Sequence, residues 1–186
     1  MRLFVALEIP TELCDSLATI ISEFRTLAPK LKWVRPENLH LTLKFIGETE
    51  PAELLAIRAA LAQVRSNNPA ELQLQGLGFF PNDRWPRVFW AGLRASDNLA
   101  PLAADIDAAC ATVGFPREQR PFSPHLTLAR LESTLPPGSL REAVLRNAAR
   151  EFGAFRATQF HLIESKLKPA GAEYTTVQSF PFVSEN

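Results

Sequence analysis

Leu3 to Leu7 is an unbroken apolar run near the amino end and reads as a short buried strand. Pro10 and Thr11 then open a helix whose apolar positions, Leu13, Leu17, Ile20, Ile21 and Phe24, return every three or four residues. Leu31, Trp33 and Val34 follow, with Lys32 among them. The turn Arg35-Pro36-Glu37-Asn38 leads into a strand from His40 to Phe45 or Ile46, which Gly47 ends. Thr49 is placed to cap a helix through Leu54, Ile57, Leu61 and Val64. Glu71 to Leu77 alternates polar and apolar as a half-buried strand does, and Phe79 to Pro86 reads as a loop rich in aromatic residues. Val88 to Leu93 is a strand again, and Leu99, Leu102, Ile106, Cys110 and Val113 mark a helix. A connection from Gly114 to Pro124 enters a second strand at His125. Ser139 and Glu142 have capping-box spacing ahead of a helix through Val144, Leu145 and Phe152. Thr158 to Leu167 and Tyr174 to Phe182 close the chain as strands, in a hairpin around Pro169-Ala170-Gly171.

Helices alternate with strands in this order, yet several successive strands are only a hairpin apart, which fits a purely parallel sheet poorly. The pattern predicts an α+β fold of two units with mostly antiparallel sheets. At 186 residues the chain buries a real core, as one domain or two small lobes. Twenty basic and twenty acidic residues give a formal net charge of zero, which argues against a non-specific nucleic-acid binder living on bulk charge. A local basic cleft for one phosphate is still compatible with that balance. Cys14 and Cys110 each fall in a predicted helix and read as small buried hydrophobes in a reducing compartment. The start meets Glu8 and Pro10 before a signal-length apolar region forms. No stretch approaches the roughly 18 apolar residues of a membrane span. The expectation is a cytoplasmic protein with no membrane partner.

One tetrapeptide occurs twice, His40-Leu41-Thr42-Leu43 and His125-Leu126-Thr127-Leu128, and it holds two of the three histidines. In an extended strand His40 and Thr42 share one face while Leu41 and Leu43 share the other, and the second copy repeats the layout. Each copy offers an imidazole and a hydroxyl on one side and a core face on the other. Histidine exchanges protons near neutrality, so two of them can divide acid and base work around a phosphate. The threonine hydroxyls suit the non-bridging oxygens, where charge builds in the transition state. A zinc site wants three or four protein ligands, and neither motif has a Cys, Asp or Glu on its histidine face. Even with His161 as a third ligand, the reading is that no metal is bound. The chain carries no phosphate loop, nucleophile elbow or dinucleotide fingerprint, and no cofactor is implied.

The segments Trp33-Val34-Arg35-Pro36-Glu37-Asn38-Leu39-His40-Leu41-Thr42-Leu43-Lys44-Phe45-Ile46-Gly47-Glu48 and Phe122-Ser123-Pro124-His125-Leu126-Thr127-Leu128-Ala129-Arg130 resemble the signature of the two-histidine (2H) phosphoesterases. More narrowly they resemble the LigT-like branch, RNA 2',3'-cyclic phosphodiesterases also called 2'-5' RNA ligases. Arg2-Leu3-Phe4-Val5-Ala6-Leu7 and Ile163-Glu164-Ser165-Lys166-Leu167 are similar to that branch too, so the likeness spans nearly the whole chain. The resemblance implies a single bilobal domain over residues 1–186. Its two mostly antiparallel sheets and flanking helices are related by a pseudo-two-fold, with one motif from each lobe facing a cleft. It implies hydrolysis of a 2',3'-cyclic phosphate at an RNA or nucleotide end to a 2'-phosphate, with reversible, ATP-independent 2'-5' joining. By the same similarity His40 is the proton donor and His125 the acceptor, with Thr42, Thr127 and Arg130 on the phosphate.

Arg130 lies five positions after His125, so strict alternation turns it to the opposite face unless the strand ends or bulges. Lys44 has the parity of His40 and Thr42 and is a candidate source of positive potential. Phe45, Phe80, Trp85 and Tyr174 are further candidate substrate contacts, the last three as base-stacking surfaces. Phe45, at a strand end, reads first as core. Arg84, Arg87, Arg117 and Arg120 are candidates for a guiding rim. The competing readings are a 2H enzyme for another small nucleotide or 2'-5' linkage, a non-catalytic RNA-end binder, and a scaffold. The chain is expected to act as a monomer, because a bilobal chain completes its own cleft.

Overall fold

In the computed structural model, which describes residues 1–66, 68–132, 135–169 and 171–182, the elements run in this order. β1 is Arg2–Glu8, α1 Thr11–Leu27, β2 Lys32–Trp33 and β3 His40–Glu48. α2 is Leu54–Leu61, β4 Ala70–Phe80, β5 Val88–Ala95 and α3 Leu99–Thr112. β6 is His125–Arg130, α4 Gly138–Arg146, β7 Glu151–Ala157, β8 Gln159–Lys168 and β9 Gly171–Pro181. The expected hairpin around 169–171 joins β8 to β9, and Ala170 lies outside the described residues.

The eight longer strands form one antiparallel sheet in the order β7-β4-β5-β6-β3-β1-β8-β9, with β2 lying beside β6. The two sheets expected from the sequence are therefore two four-stranded halves of one sheet. They meet between the histidine strands through one paired position, Leu41 with Leu126. The halves are built alike at that seam: β1, α1 and β3 form one strand–helix–strand unit, and β5, α3 and β6 form another. All four helices send their buried residues into one core, with Leu17, Ile20, Ile21 and Phe24 from α1 and Leu99, Leu102 and Ile106 from α3. They pack on one face of the sheet, and the other face stays open apart from a small cluster of Phe4, Ala6 and Ile163 with Tyr174.

Several local expectations are corrected. Phe152 is not in a helix: α4 ends at Arg146, the Asn147 side chain donates to the Ala143 carbonyl, and Phe152 lies in β7, hydrogen-bonded to β4. Here long-range strand pairing overrode a helical period. Ser139 caps nothing, because the helix already begins at Gly138 behind Pro137. Thr49 is likewise not a cap. Glu50 forms a capping box with Glu53 in a 3-10 turn before α2, which stops at Leu61. Phe79 and Phe80 extend β4 into the expected loop. Gly47 does not end β3, because its positive φ of 95° carries a bulged strand on to Glu48.

Candidate active site

Leu41 and Leu126 are both buried in the core, so their neighbours on either side turn to the open face. One step out from that pair, the antiparallel register sets His40 against Thr127 and Thr42 against His125. Two imidazoles and two hydroxyls thus form a four-cornered group on neighbouring strands at the middle of the sheet. The two halves deliver one histidine each, and the motifs meet side by side along the seam.

Each motif also carries the same irregularity. β3 bulges against β1 at Leu43, where Val5 pairs with Lys44 and Ala6 with Thr42. β6 bulges against β5 at Leu128, where Phe89 pairs with Ala129 and Trp90 with Thr127. A bulge inserts one unpaired residue and resets the alternation of faces. The residue four after each histidine therefore turns into the core, and the residue five after turns to the open face. This corrects the reading of Lys44, which is only 6% exposed and lies under the sheet. Its Nζ donates to Asp107 Oδ1 of α3 at 2.6 Å and to the Pro116 carbonyl at 2.5 Å. It corrects the core reading of Phe45 as well, which is 52% exposed beneath the Arg2 guanidinium. The same device carries Arg130 to the histidine face.

Both histidines are held in the same way. His40 Nδ1 lies 2.8 Å from the Asn38 carbonyl, and His125 Nδ1 lies 2.7 Å from the Ser123 carbonyl. A carbonyl only accepts, so each Nδ1 carries the hydrogen and each Nε2 becomes the proton-exchanging nitrogen. Asn38 is itself tied down, its amide donating to the Ala172 carbonyl at the start of β9. Burial is the main force pushing both imidazole pKa values below their ordinary value, and the backbone carbonyls oppose it. The Arg130 charge lowers both further, and His125 adds its own effect on His40. One guanidinium therefore acts on both imidazoles. The Arg130 guanidinium makes no ion pair or hydrogen bond with any described residue, and neither do the hydroxyls of Thr42 and Thr127. The centre of the open face presents a cation and two hydroxyls without partners among the described residues, between two proton carriers.

Aromatic rings frame the group. Phe4 and Tyr174 lie 4.7 and 5.3 Å from the His40 ring, centroid to centroid. Phe80 stands edge-on to His125 at 4.9 Å and is backed by Trp90 at 5.1 Å. Trp85 is 65% exposed on the loop beyond β4, where Asn82 Oδ1 accepts from the Trp85 backbone N–H, and its ring touches neither histidine among the described contacts. Three of the four rim arginines are already engaged: Arg117 with Asp107, Arg120 with Glu118 and Arg87 with the Glu132 carbonyl. His161 also lies on the open face but two strands from His40. It is buried, with Nδ1 2.9 Å from Ser179 Oγ and 3.8 Å from Glu8 Oε1. Among the described residues no group of three His, Cys, Asp or Glu side chains is placed to hold a metal ion. No described helix is long and apolar enough to cross a membrane.

Residues 11–169 match the family model of the 2'-5' RNA ligase superfamily. The chain belongs to that superfamily. It is 32% identical over 181 residues to the RNA 2',3'-cyclic phosphodiesterase of Methanothermobacter thermautotrophicus, covering 97% of this chain and 98% of the relative. The corresponding protein of Thermus thermophilus is 35% identical over 199 residues, covering all of this chain and 92% of its own length. Among solved structures, TT0787 of Thermus thermophilus superposes with a TM-score of 0.82 at 32% identity and full coverage of both chains. E. coli LigT complexed with 3'-AMP gives 0.77 at 27% identity, with 98% of each chain covered. Within this 2'-5' RNA ligase superfamily member, sequence reasoning missed Phe4, which flanks His40, and Trp90, which backs Phe80. Strand parity carries the signal for Trp90, since Phe89 and Ala91 on either side of it are core residues.

Proposed function

We infer that this chain is a metal-independent RNA 2',3'-cyclic phosphodiesterase in which His40 and His125 act as acid and base on one phosphorus. The observation that carries the reading is the four-cornered group with Arg130 beside it. Each imidazole has its Nδ1 bound to a carbonyl, and the two hydroxyls and the guanidinium are free of described protein partners. The cyclic phosphate sits with its non-bridging oxygens on Thr42, Thr127 and Arg130. His125 Nε2 takes a proton from water as the water oxygen bonds to phosphorus. The bond to O3' breaks, and His40 Nε2–H protonates the leaving oxygen, giving a 2'-phosphate. The family likeness supports this assignment of roles, because the hydrogen-bonding of the two histidines is nearly symmetric. Low proton affinity in both imidazoles suits His125 as a neutral acceptor, and a bound phosphate dianion-like transition state would restore the proton on His40. The whole single domain, 1–186, completes this site with one motif from each half, which supports action as a monomer. The two free cysteines, Cys110 buried and Cys14 half-buried, fit a reducing cytoplasm.

A substrate panel tests the reading. The protein should open a mononucleoside 2',3'-cyclic phosphate and a cyclic-phosphate RNA end at comparable rates, with the product phosphate on O2'. Turnover confined to 2'-5' linkages, or tight binding without turnover, would replace it.

A further inference from the structure

The Arg2 guanidinium makes no ion pair or hydrogen bond with any described residue. Its register partner on β3, Glu48, leaves it unpaired, and it rests instead over the half-exposed ring of Phe45, with Cζ 5.0 Å from the ring centroid. A cation lying on an aromatic face keeps its N–H groups for another acceptor. β1 keeps strict alternation, so Arg2 shares the open face with Phe4 and Ala6 while Leu3 and Val5 turn into the core. Arg2 pairs with Ser165 of β8, and Ser165 pairs with Tyr174 of β9, so one row of the sheet runs from the guanidinium to the phenol. Burial raises the Tyr174 pKa and the charges of Arg130 and Arg2 both lower it, which puts two guanidiniums within electrostatic reach of one ring. Tyr174 and Phe4 in turn flank His40. The His40 half of the open face thus carries a second unpaired cation, set apart from the one beside the histidines.

With His40 as the proton donor, the leaving O3' and the ribose that carries it lie on this half of the sheet. In RNA that ribose continues through O5' to the next phosphate, a diester monoanion that the reaction leaves untouched. The histidines, the threonines and Arg130 are all committed to the cyclic phosphate, so the second anion calls for a cation of its own. We propose, on that reading of His40, that Arg2 held over Phe45 binds the phosphate on the 5' side of the terminal nucleoside, and so favours RNA ends over free nucleoside cyclic phosphates. A guanidinium suits this work, because its planar fork meets two phosphate oxygens at once. The contact is to backbone alone, so it positions a chain of any sequence. Its gain falls on binding and not on the chemical step, since the 5' phosphate keeps its charge throughout the reaction. Another guanidinium with no described partner, Arg94 of β5, stands on the opposite half, two positions past Gly92, the register partner of His125. The direction in which RNA leaves the site decides between these two cations, and His40 as donor selects Arg2.

The test compares two substrates on the full-length protein: a nucleoside 2',3'-cyclic phosphate, and the same nucleoside with a methyl phosphodiester on O5'. The ratio of their kcat/KM values is read, a quantity that does not depend on how much of the enzyme is folded. In the unaltered protein the ratio should favour the 5'-phosphodiester by about fivefold, the size of a strong exposed ion pair. The difference should lie in KM, with the two kcat values alike, and added salt should shrink it. Arg2→Gln should bring the ratio to about one, as expected once the ion pair is gone. Arg2→Lys, which keeps the charge without the fork, should restore part of the preference. Arg94→Gln should leave the ratio as it is in the unaltered protein. No preference in the unaltered protein, a preference that survives Arg2→Gln, or one lost in Arg94→Gln instead overturns the proposal. Turnover of neither substrate would instead overturn the phosphodiesterase reading itself.

Discussion

Arg130 of β6 acts electrostatically on His40 of β3, across the seam of the sheet, as well as on His125 of its own strand. Its charge disfavours both imidazolium forms, adding to the larger effect of burial. Replacing it with glutamine removes that positive charge, so both imidazole pKa values rise. The profile of kcat/KM against pH should be bell-shaped, since one imidazole must be neutral and the other charged. In Arg130→Gln both limbs should move to higher pH while the maximum falls. The limbs belong to the coupled pair, so their joint movement is the observable. A lower maximum with unmoved limbs would show that Arg130 acts only on substrate.

Asp107 holds Lys44 and Arg117 at once, each at 2.6 Å, and it accepts the Glu118 backbone N–H. Burial pushes its carboxyl pKa up, but the hydrogen bonds from Lys44, Glu118 and Arg117 together hold it below the usual range. Asp107→Asn leaves the Lys44 ammonium buried without its counter-charge, and should cost about 3–5 kcal/mol in denaturant unfolding at neutral pH. A depressed folded pKa means the stabilisation is full above the unfolded value near 3.9 and is lost as pH falls through the folded one. The gap between the two proteins should close in that acid range. A gap that stays constant into strong acid would remove the ion pair from the account.

The repeated His-Leu-Thr-Leu was legible in the sequence because strand parity alone separates Leu41 and Leu126 from the residues beside them. The helix periods of Leu13 to Phe24 and Leu99 to Cys110 placed the core face in the same way. The bulges at Leu43 and Leu128 were not legible. Each depends on pairing with another strand, β1 or β5, and no local pattern marks an extra residue. That one hidden device exchanged the fates of Lys44 and Phe45 and brought Arg130 into the site. Phe152 was misplaced for a related reason, because its burial comes from a strand pairing with β4 far away in sequence. Trp90 lay on a correctly assigned strand, yet only Gly78 and Gly92, where a Cβ would crowd its ring, show that its indole lies flat.

The hydroxyls of Thr42 and Thr127 have no described protein partner, so their hydrogen bonds are open to the phosphate. A bond to a charged group contributes about 1.5–3 kcal/mol, so each alanine variant should lose roughly 10-fold to 150-fold in kcat/KM. Serine at either position keeps the hydroxyl and should recover most of that loss. A serine variant as impaired as alanine would assign the threonines to packing.

The central claim is that two histidines on neighbouring strands share one phosphorus without a metal. Its most direct test is the turnover of a cyclic-phosphate RNA end in EDTA by His40→Ala, His125→Ala and the double variant. The unaltered protein should keep its activity in EDTA, and each single variant should lose about 10²-fold or more. The double variant should lose far less than the product of the two, because both groups serve one transition state. Activity that vanishes in EDTA and returns with a divalent ion, or a single variant within about threefold of the unaltered protein, would contradict the claim.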